Sequence, residues 1–150
     1  MSHLLADVAV VPFLRGRWQI ERTLTDRSAA MSGSFTGVAD FTQHASGLTW
    51  QEAGELSWPT HQGAAGRRLE ITACSTEPRL IDVRLVDVRF GDGRLFHQLD
   101  LSTGRCDVVH ECGLDRYVGS FVVTSPDEWH TTWDVDGPAK SITIASTYRH

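Results

Sequence analysis

Three side chains that can bind a polar group or move a proton lie close together late in the sequence: His97, His110 and Tyr117. A two-residue turn at Thr103-Gly104 would pair Ser102 with Arg105, Leu99 with Val108 and His97 with His110. A second turn at Gly113-Leu114 would set Tyr117 opposite His110. Directly opposed residues share one face of a sheet, with Cβ atoms about 4.5–5.5 Å apart. The three side chains would then form a row across three strands. Their neighbours on that face, Leu95, Leu99, Val108, Cys112, Gly119 and Phe121, are mostly apolar. Polar groups in an apolar wall describe a pocket, or else a pair of silent core histidines. An imidazole near its ordinary pKa of about 6.5 suits both ligand binding and acid–base work.

The elements that must position this row read as strands. Short alternating runs are broken by turn signals every eight to twelve residues, the pattern of a sandwich or barrel. A short helical or irregular lead-in is expected over Leu4–Leu14. Strands are expected over Arg15–Leu24, Gly33–Thr42, Gly47–Leu56, Gly66–Cys74 and Leu80–Phe90. The second half continues with Arg94–Leu101, Cys106–Cys112, Asp115–Thr124, Glu128–Asp136 and Ser141–Arg149. Trp58 to Gly63 reads as a longer loop, a second place where an interaction surface could sit. Ten sequential strands joined by short turns form an up-and-down meander, and closure into a barrel removes its unpaired edges. The expected fold is therefore all-β: a single antiparallel barrel of about ten strands in one domain. Such a barrel holds side chains or one small ligand.

Period-two alternation assigns the inward face. It collects Trp18, Ile20 and Arg22; Phe35, Gly37, Ala39 and Phe41; Leu48, Trp50, Glu52 and Gly54. Later it collects Trp129, Thr131, Trp133 and Val135, then Ile142, Ile144, Ser146 and Tyr148. Among these apolar residues stand Arg22, Glu52, His97, His110, Tyr117 and Tyr148. A buried charge without a partner costs several kcal/mol, and Arg22 and Glu52 are of opposite sign. Trp18 is expected to plug one end of the barrel and to pack on Arg22 by a cation–π contact. Cys112 reads as a small buried hydrophobe, or less simply as a reactive thiolate. Asp115 reads as the start of a strand, with orientation of His110 as the alternative. Lys140, the one lysine, reads as a solvated turn residue or half of an ion pair at the barrel mouth.

Composition narrows the function classes. With 150 residues and a net charge of −5, the chain has no Lys/Arg-rich stripe, which argues against nucleic acid. No window approaches 18 uninterrupted apolar residues, and Asp7 interrupts the opening run, so neither a membrane span nor a secretion signal is expected. Three cysteines, Cys74, Cys106 and Cys112, without C-x-x-C spacing favour reduced thiols and a cytoplasmic location over disulfides. No Cys/His cluster has zinc-ligand spacing. Nucleophile-elbow and phosphate-loop motifs are also missing.

Phe13-Leu14-Arg15-Gly16-Arg17-Trp18, followed by Arg22, resembles the G-x-W entry of the calycin barrels, the lipocalin and fatty-acid-binding type. More closely, the chain resembles the bacterial and fungal domain of unknown function 6314. The matching pieces are Phe-Leu-x-Gly-x-Trp, Leu48-x-Trp50-x-Glu52-x-Gly54 and Gly93-Arg94-x-Phe96-His97-x-Leu99. Further matches are His110-x-Cys112-x-x-Asp115-x-Tyr117-x-Gly119, Trp133-x-Val135-x-Gly137-Pro138-x-Lys140 and Tyr148-Arg149. Arg67-x-Leu69 departs from the expected pattern, in which an aromatic follows the arginine by two. The resemblance implies a calycin-like barrel and no established reaction.

The expected function is a barrel that binds a small apolar or aromatic ligand. The expected ligand-binding set is Trp18, Arg22, Trp50, Glu52, Arg67, His97, His110, Tyr117, Trp133 and Tyr148. The alternative is an acid–base enzyme of isomerase, cyclase or decarboxylase type in the same cavity, with His97, His110 and Tyr117 as its catalytic groups. A weaker alternative is haem held by one inward histidine; otherwise no cofactor and no metal is expected. Neither nucleic acid nor membrane is an expected partner, and a homodimer is left open.

Overall fold

The computed structural model describes residues 4–73 and 84–150. Its elements are α1 (Val10–Leu14) and ten strands. The first five are β1 (Gly16–Asp26), β2 (Met31–His44), β3 (Gly47–Trp58), β4 (His61–Ala73) and β5 (Leu85–Phe90). The others are β6 (Leu95–Asp100), β7 (Arg105–Cys112), β8 (Asp115–Ser125), β9 (Glu128–Gly137) and β10 (Lys140–Arg149). They form one antiparallel sheet in the order β6-β5-β4-β3-β2-β1-β10-β9-β8-β7, curled into a nearly closed barrel. The link that curls it joins the first and last strands, with Ile20 opposite Tyr148 and Arg22 opposite Ser146. Among the described residues no helix is long and apolar enough to cross a membrane.

Alternation places the interior as the sequence pattern requires. Trp18, Ile20, Phe35, Ala39, Phe41, Leu48, Trp50, Trp129, Trp133, Val135 and Tyr148 are all buried. One end of the barrel is closed. There α1 inserts Val10, Val11 and Leu14, and the Trp18 indole N–H donates to the Leu14 carbonyl at 2.8 Å. The segment before α1 is tied on by backbone bonds, Leu5 N–H to Val123 O and Asp7 N–H to Ser102 O. The helix is shorter than the expected lead-in because Pro12 and the short apolar run support little more than one turn.

The expected hairpin between β6 and β7 is not formed. These strands end the sheet on opposite sides and come alongside each other with no ladder between them. The residues after β6 turn across the closed end instead: Gly104, at φ 80°, donates to Leu101 O, and its own carbonyl accepts from Val123 N–H. The result is a seam in the wall. The neighbouring turn at Gly113-Leu114 forms as expected, with Gly113 at φ 61° and His110 opposite Tyr117.

Three further expectations are corrected. Trp58 to Gly63 is no long loop: Trp58 pairs with His61 around Pro59-Thr60, and β4 begins five residues earlier than expected. Proline presets the φ angle for the first turn position, which makes a tight turn favourable there. Within β6 a bulge changes the alternation. Val88 faces His97, but Arg89 faces Leu95, so Phe96 is the extra residue. Phe96 and His97 are both buried as a result, whereas Leu95 is exposed. Cys112 is exposed at the end of β7, not buried. Cys74 and the start of the expected strand at Leu80 lie outside the described residues.

Candidate functional site

Strand register builds a polar floor inside the apolar barrel. Across β3 and β4 Glu52 stands directly opposite Arg67. Across β1 and its two neighbours Arg22 stands opposite Ser146 on one side and Phe35 on the other. Tyr148 lies two residues from Ser146, on the same face. The Glu52 carboxylate, 1% exposed, gathers their donors. One oxygen accepts from Arg22 Nη2 at 3.0 Å and Arg67 Nε at 2.8 Å. The other accepts from Trp50 Nε1 at 3.0 Å and the Tyr148 hydroxyl at 2.5 Å. Arg22 also donates to Ser146 Oγ at 2.7 Å and to the Tyr148 hydroxyl at 2.8 Å. The expected neutralisation of Arg22 by Glu52 is thus present.

Charge decides the protonation of this floor. Burial alone would raise the Glu52 pKa, but Arg67, Arg22 and the Tyr148 hydroxyl together hold it down at about 2. Tyr148 is pushed up, by burial first and then by the Glu52 charge, and remains a neutral donor. Among the described residues two arginines therefore face one carboxylate, leaving one positive charge in excess. Both guanidinium groups also lie over rings: Arg22 over Phe35 at 5.0 Å and Arg67 over Trp50 at 5.2 Å. The expected Trp18–Arg22 contact is replaced by these, because Trp18 sits at the closed end and stacks on His150 at 3.6 Å.

Above the floor a cavity of about 230 Å³ is lined by Arg22, Leu24, Arg67, Phe96, Tyr117, Trp133, Val135, Ile144 and Ser146. An adjoining lobe of about 170 Å³ shares Arg22, Leu24 and Arg67 and adds Phe35, Glu52, Leu56, Ala65 and Gly66. Trp133 reaches its place because Gly119 is opposite it on β8; a Cβ there would stand 2.7 Å from the indole ring. Outside Phe96 and Tyr117, a second pocket of about 450 Å³ opens beside the seam, lined also by Phe90, Arg94, Leu95, His110, Glu111, Cys112 and Gly113.

Of the ligand-binding residues expected from sequence, Arg22, Glu52, Arg67, Tyr117 and Trp133 line these two lobes. Trp50 and Tyr148 brace the floor from below, and Trp18 lies away from it. The histidines meet around Phe96 without opposing each other on a ladder. Phe96 is 4.8 Å from the His97 ring and 5.2 Å from the His110 ring. His97 packs against Phe96, Phe121 and Trp133 outside the lining of these two lobes and shares with His110 a shallower surface hollow along the seam; its Nδ1 meets Gln98 O at 3.0 Å, and its buried Nε2 has no partner. That geometry makes Nδ1 the donor and leaves Nε2 as a bare acceptor. Burial first, then the charges of Arg67 and His110, lower its pKa to about 4, although the bond to Gln98 opposes the shift. Asp115 does not orient His110; it binds Lys140 at 3.3 Å at the rim. Phe96 escaped the sequence reading because the bulge that turns it inward leaves no period-two signal. Ser146 was legible as a polar residue on an apolar face. Among the described residues no group of three His, Cys, Asp or Glu side chains could hold a metal ion.

The sequence matches the family of unknown function DUF6314 over residues 14–150, and the chain belongs to that family. No curated protein matches it. Among solved structures it is similar to an S-type phycobiliprotein lyase, CPES, from Guillardia theta. The TM-score is 0.65 at 13% identity, covering 93% of this chain and 90% of that one. It is also similar to a protein of unknown function of the DUF3598 family from Nostoc punctiforme. There the TM-score is 0.58 at 12% identity, covering 98% of this chain and 50% of that one. At such identities the likeness is one of fold.

Proposed function

We propose that this DUF6314 member is a small-molecule-binding barrel whose ligand is mostly apolar or aromatic and carries one anionic group. The observation that carries the proposal is the floor: two arginines share one carboxylate beneath apolar walls. The excess charge lies at the base of an apolar cavity, with the Arg22 side chain 11% and that of Arg67 36% exposed, and a ligand carboxylate would neutralise it through charge-assisted, fork-shaped bonds. Leu24, Val135, Ile144, Phe96 and Trp133 would cover the ligand's apolar body. Concave, mostly apolar sites with a few convergent polar groups are the usual form of small-ligand pockets.

A thermal-shift screen followed by native mass spectrometry tests this. Aromatic monocarboxylates should raise the melting temperature and appear as one-to-one complexes. If neither carboxylates nor their neutral analogues bind, the proposal fails.

An acid–base enzyme remains the second proposal, favoured by Tyr117 on the cavity wall and by the bare Nε2 acceptor of His97, which is buried behind Phe96 and Trp133. With its pKa lowered to about 4, the His97 imidazole is neutral at pH 7 and a weak base there, while a phenol can donate to a developing oxyanion. Any ligand found in the screen should then be chemically altered on incubation. Conversion should disappear in His97→Ala or His110→Ala; conversion equal to the wild type's in both variants removes the acid–base assignment.

A further inference from the structure

Phe96 is the ring on which the inner cavity and the seam pocket both end. It lines each of them, and so does Tyr117, whose ring centroid is 6.3 Å away in an edge contact. On its two faces Phe96 stacks against Phe90 at 4.6 Å and Trp133 at 5.0 Å, one ring belonging to each space. It is 8% exposed, and it points inward only because the bulge on β6 makes it the extra residue. No ladder joins β6 to β7 at this point, so no backbone hydrogen bond across the seam fixes its distance from Tyr117.

We infer that Phe96 and Tyr117 form the partition that sets the length of the ligand, and that the seam pocket is a second subsite for the distal end of longer ligands. The inference rests on the proposed function: an anionic head lies on Arg22 and Arg67, and the apolar body runs toward the Phe96 ring. With the partition in place, the body ends at the ring and the inner cavity of about 230 Å³ limits its size. Without it, the body continues between Phe90, Leu95 and His110 into the larger space of about 450 Å³. Each methylene newly buried there is worth about 0.8 kcal/mol, or about fourfold in affinity.

The experiment is calorimetric titration of the purified protein with a series of ω-phenylalkanoates of increasing chain length. The wild type should gain affinity with each added methylene up to a short optimum and none beyond it. In Phe96→Ala the optimum should move by two or more methylenes, and the longest members should bind at least tenfold tighter than to the wild type. Tyr117→Ala, at a half-buried position, opens the same partition from the other strand and should produce the same displacement even if Phe96→Ala does not fold. A wild type that binds short members, with an unchanged length profile in whichever variants fold, overturns the partition alone. A wild type that binds no member overturns the proposed function and the partition with it.

Discussion

Glu52 is the residue on which the interior depends. Its buried carboxylate is shared by Arg22 and Arg67, and removing one member of a buried ion pair leaves uncompensated charge, at a cost of up to about 3–5 kcal/mol. Glu52→Leu should lower the unfolding free energy by about that amount in chemical denaturation, and adding Arg22→Leu and Arg67→Leu should recover much of it. His97 sets the response to mild acid. The unfolded chain takes up this proton near pH 6.5, whereas the folded protein resists it to about pH 4. More protons are bound by the unfolded state in that window, so stability falls as pH drops through it, by about 3 kcal/mol in full. Glu52 adds a loss of the same order between about pH 4.5 and 2. Denaturation midpoints measured from pH 7 to 4 should therefore decline in the wild type, and His97→Leu should flatten that decline.

Elements divide the work of holding and binding. The helix α1 closes the end beneath the floor, where Leu14 is fully buried and Trp18 packs through Trp129 toward Trp50 and Tyr148. Leu14→Ala should cost about 2–5 kcal/mol through lost burial and a cavity, yet leave ligand affinity within about twofold. At the seam, β6 and β7 each offer an edge without a ladder partner. Their edge amides should exchange with solvent faster than those of β2 or β3, which are paired on both sides, and exchange mass spectrometry reads this directly. Much of this architecture was legible in the sequence. Alternation alone assigned Trp50, Glu52, Trp129, Trp133 and Tyr148 to the interior, because a half-buried strand must repeat every two residues. The Gly113-Leu114 turn fixed His110 opposite Tyr117 for the same reason. The β6–β7 pairing was misjudged at Thr103-Gly104, where tertiary contacts with the N-terminal segment, not local turn chemistry, direct the chain. The contribution of Phe96 was hidden for a related reason: a bulge breaks the periodicity on which face assignment relies.

Over the whole molecule, one sheet curls on itself so that residues from opposite ends of the chain meet: Arg22 and Glu52 from the first half, Ser146 and Tyr148 from the last strand. The closed end supplies stability through α1 and the Trp18 cluster. The other end holds an apolar-walled cavity above a floor with one positive charge in excess. The central claim is that this charge selects an anionic ligand. Its most direct test is calorimetric comparison of 2-naphthoate with 2-naphthamide, two ligands of nearly the same shape, in the wild type and in Arg67→Leu. Arg67→Leu leaves Glu52 balanced by Arg22 alone. A bond to a charged group contributes about 1.5–3 kcal/mol, so the wild type should bind the carboxylate at least about tenfold more tightly than the amide. Arg67→Leu should erase most of that difference. Equal affinity of the wild type for both compounds would contradict the account.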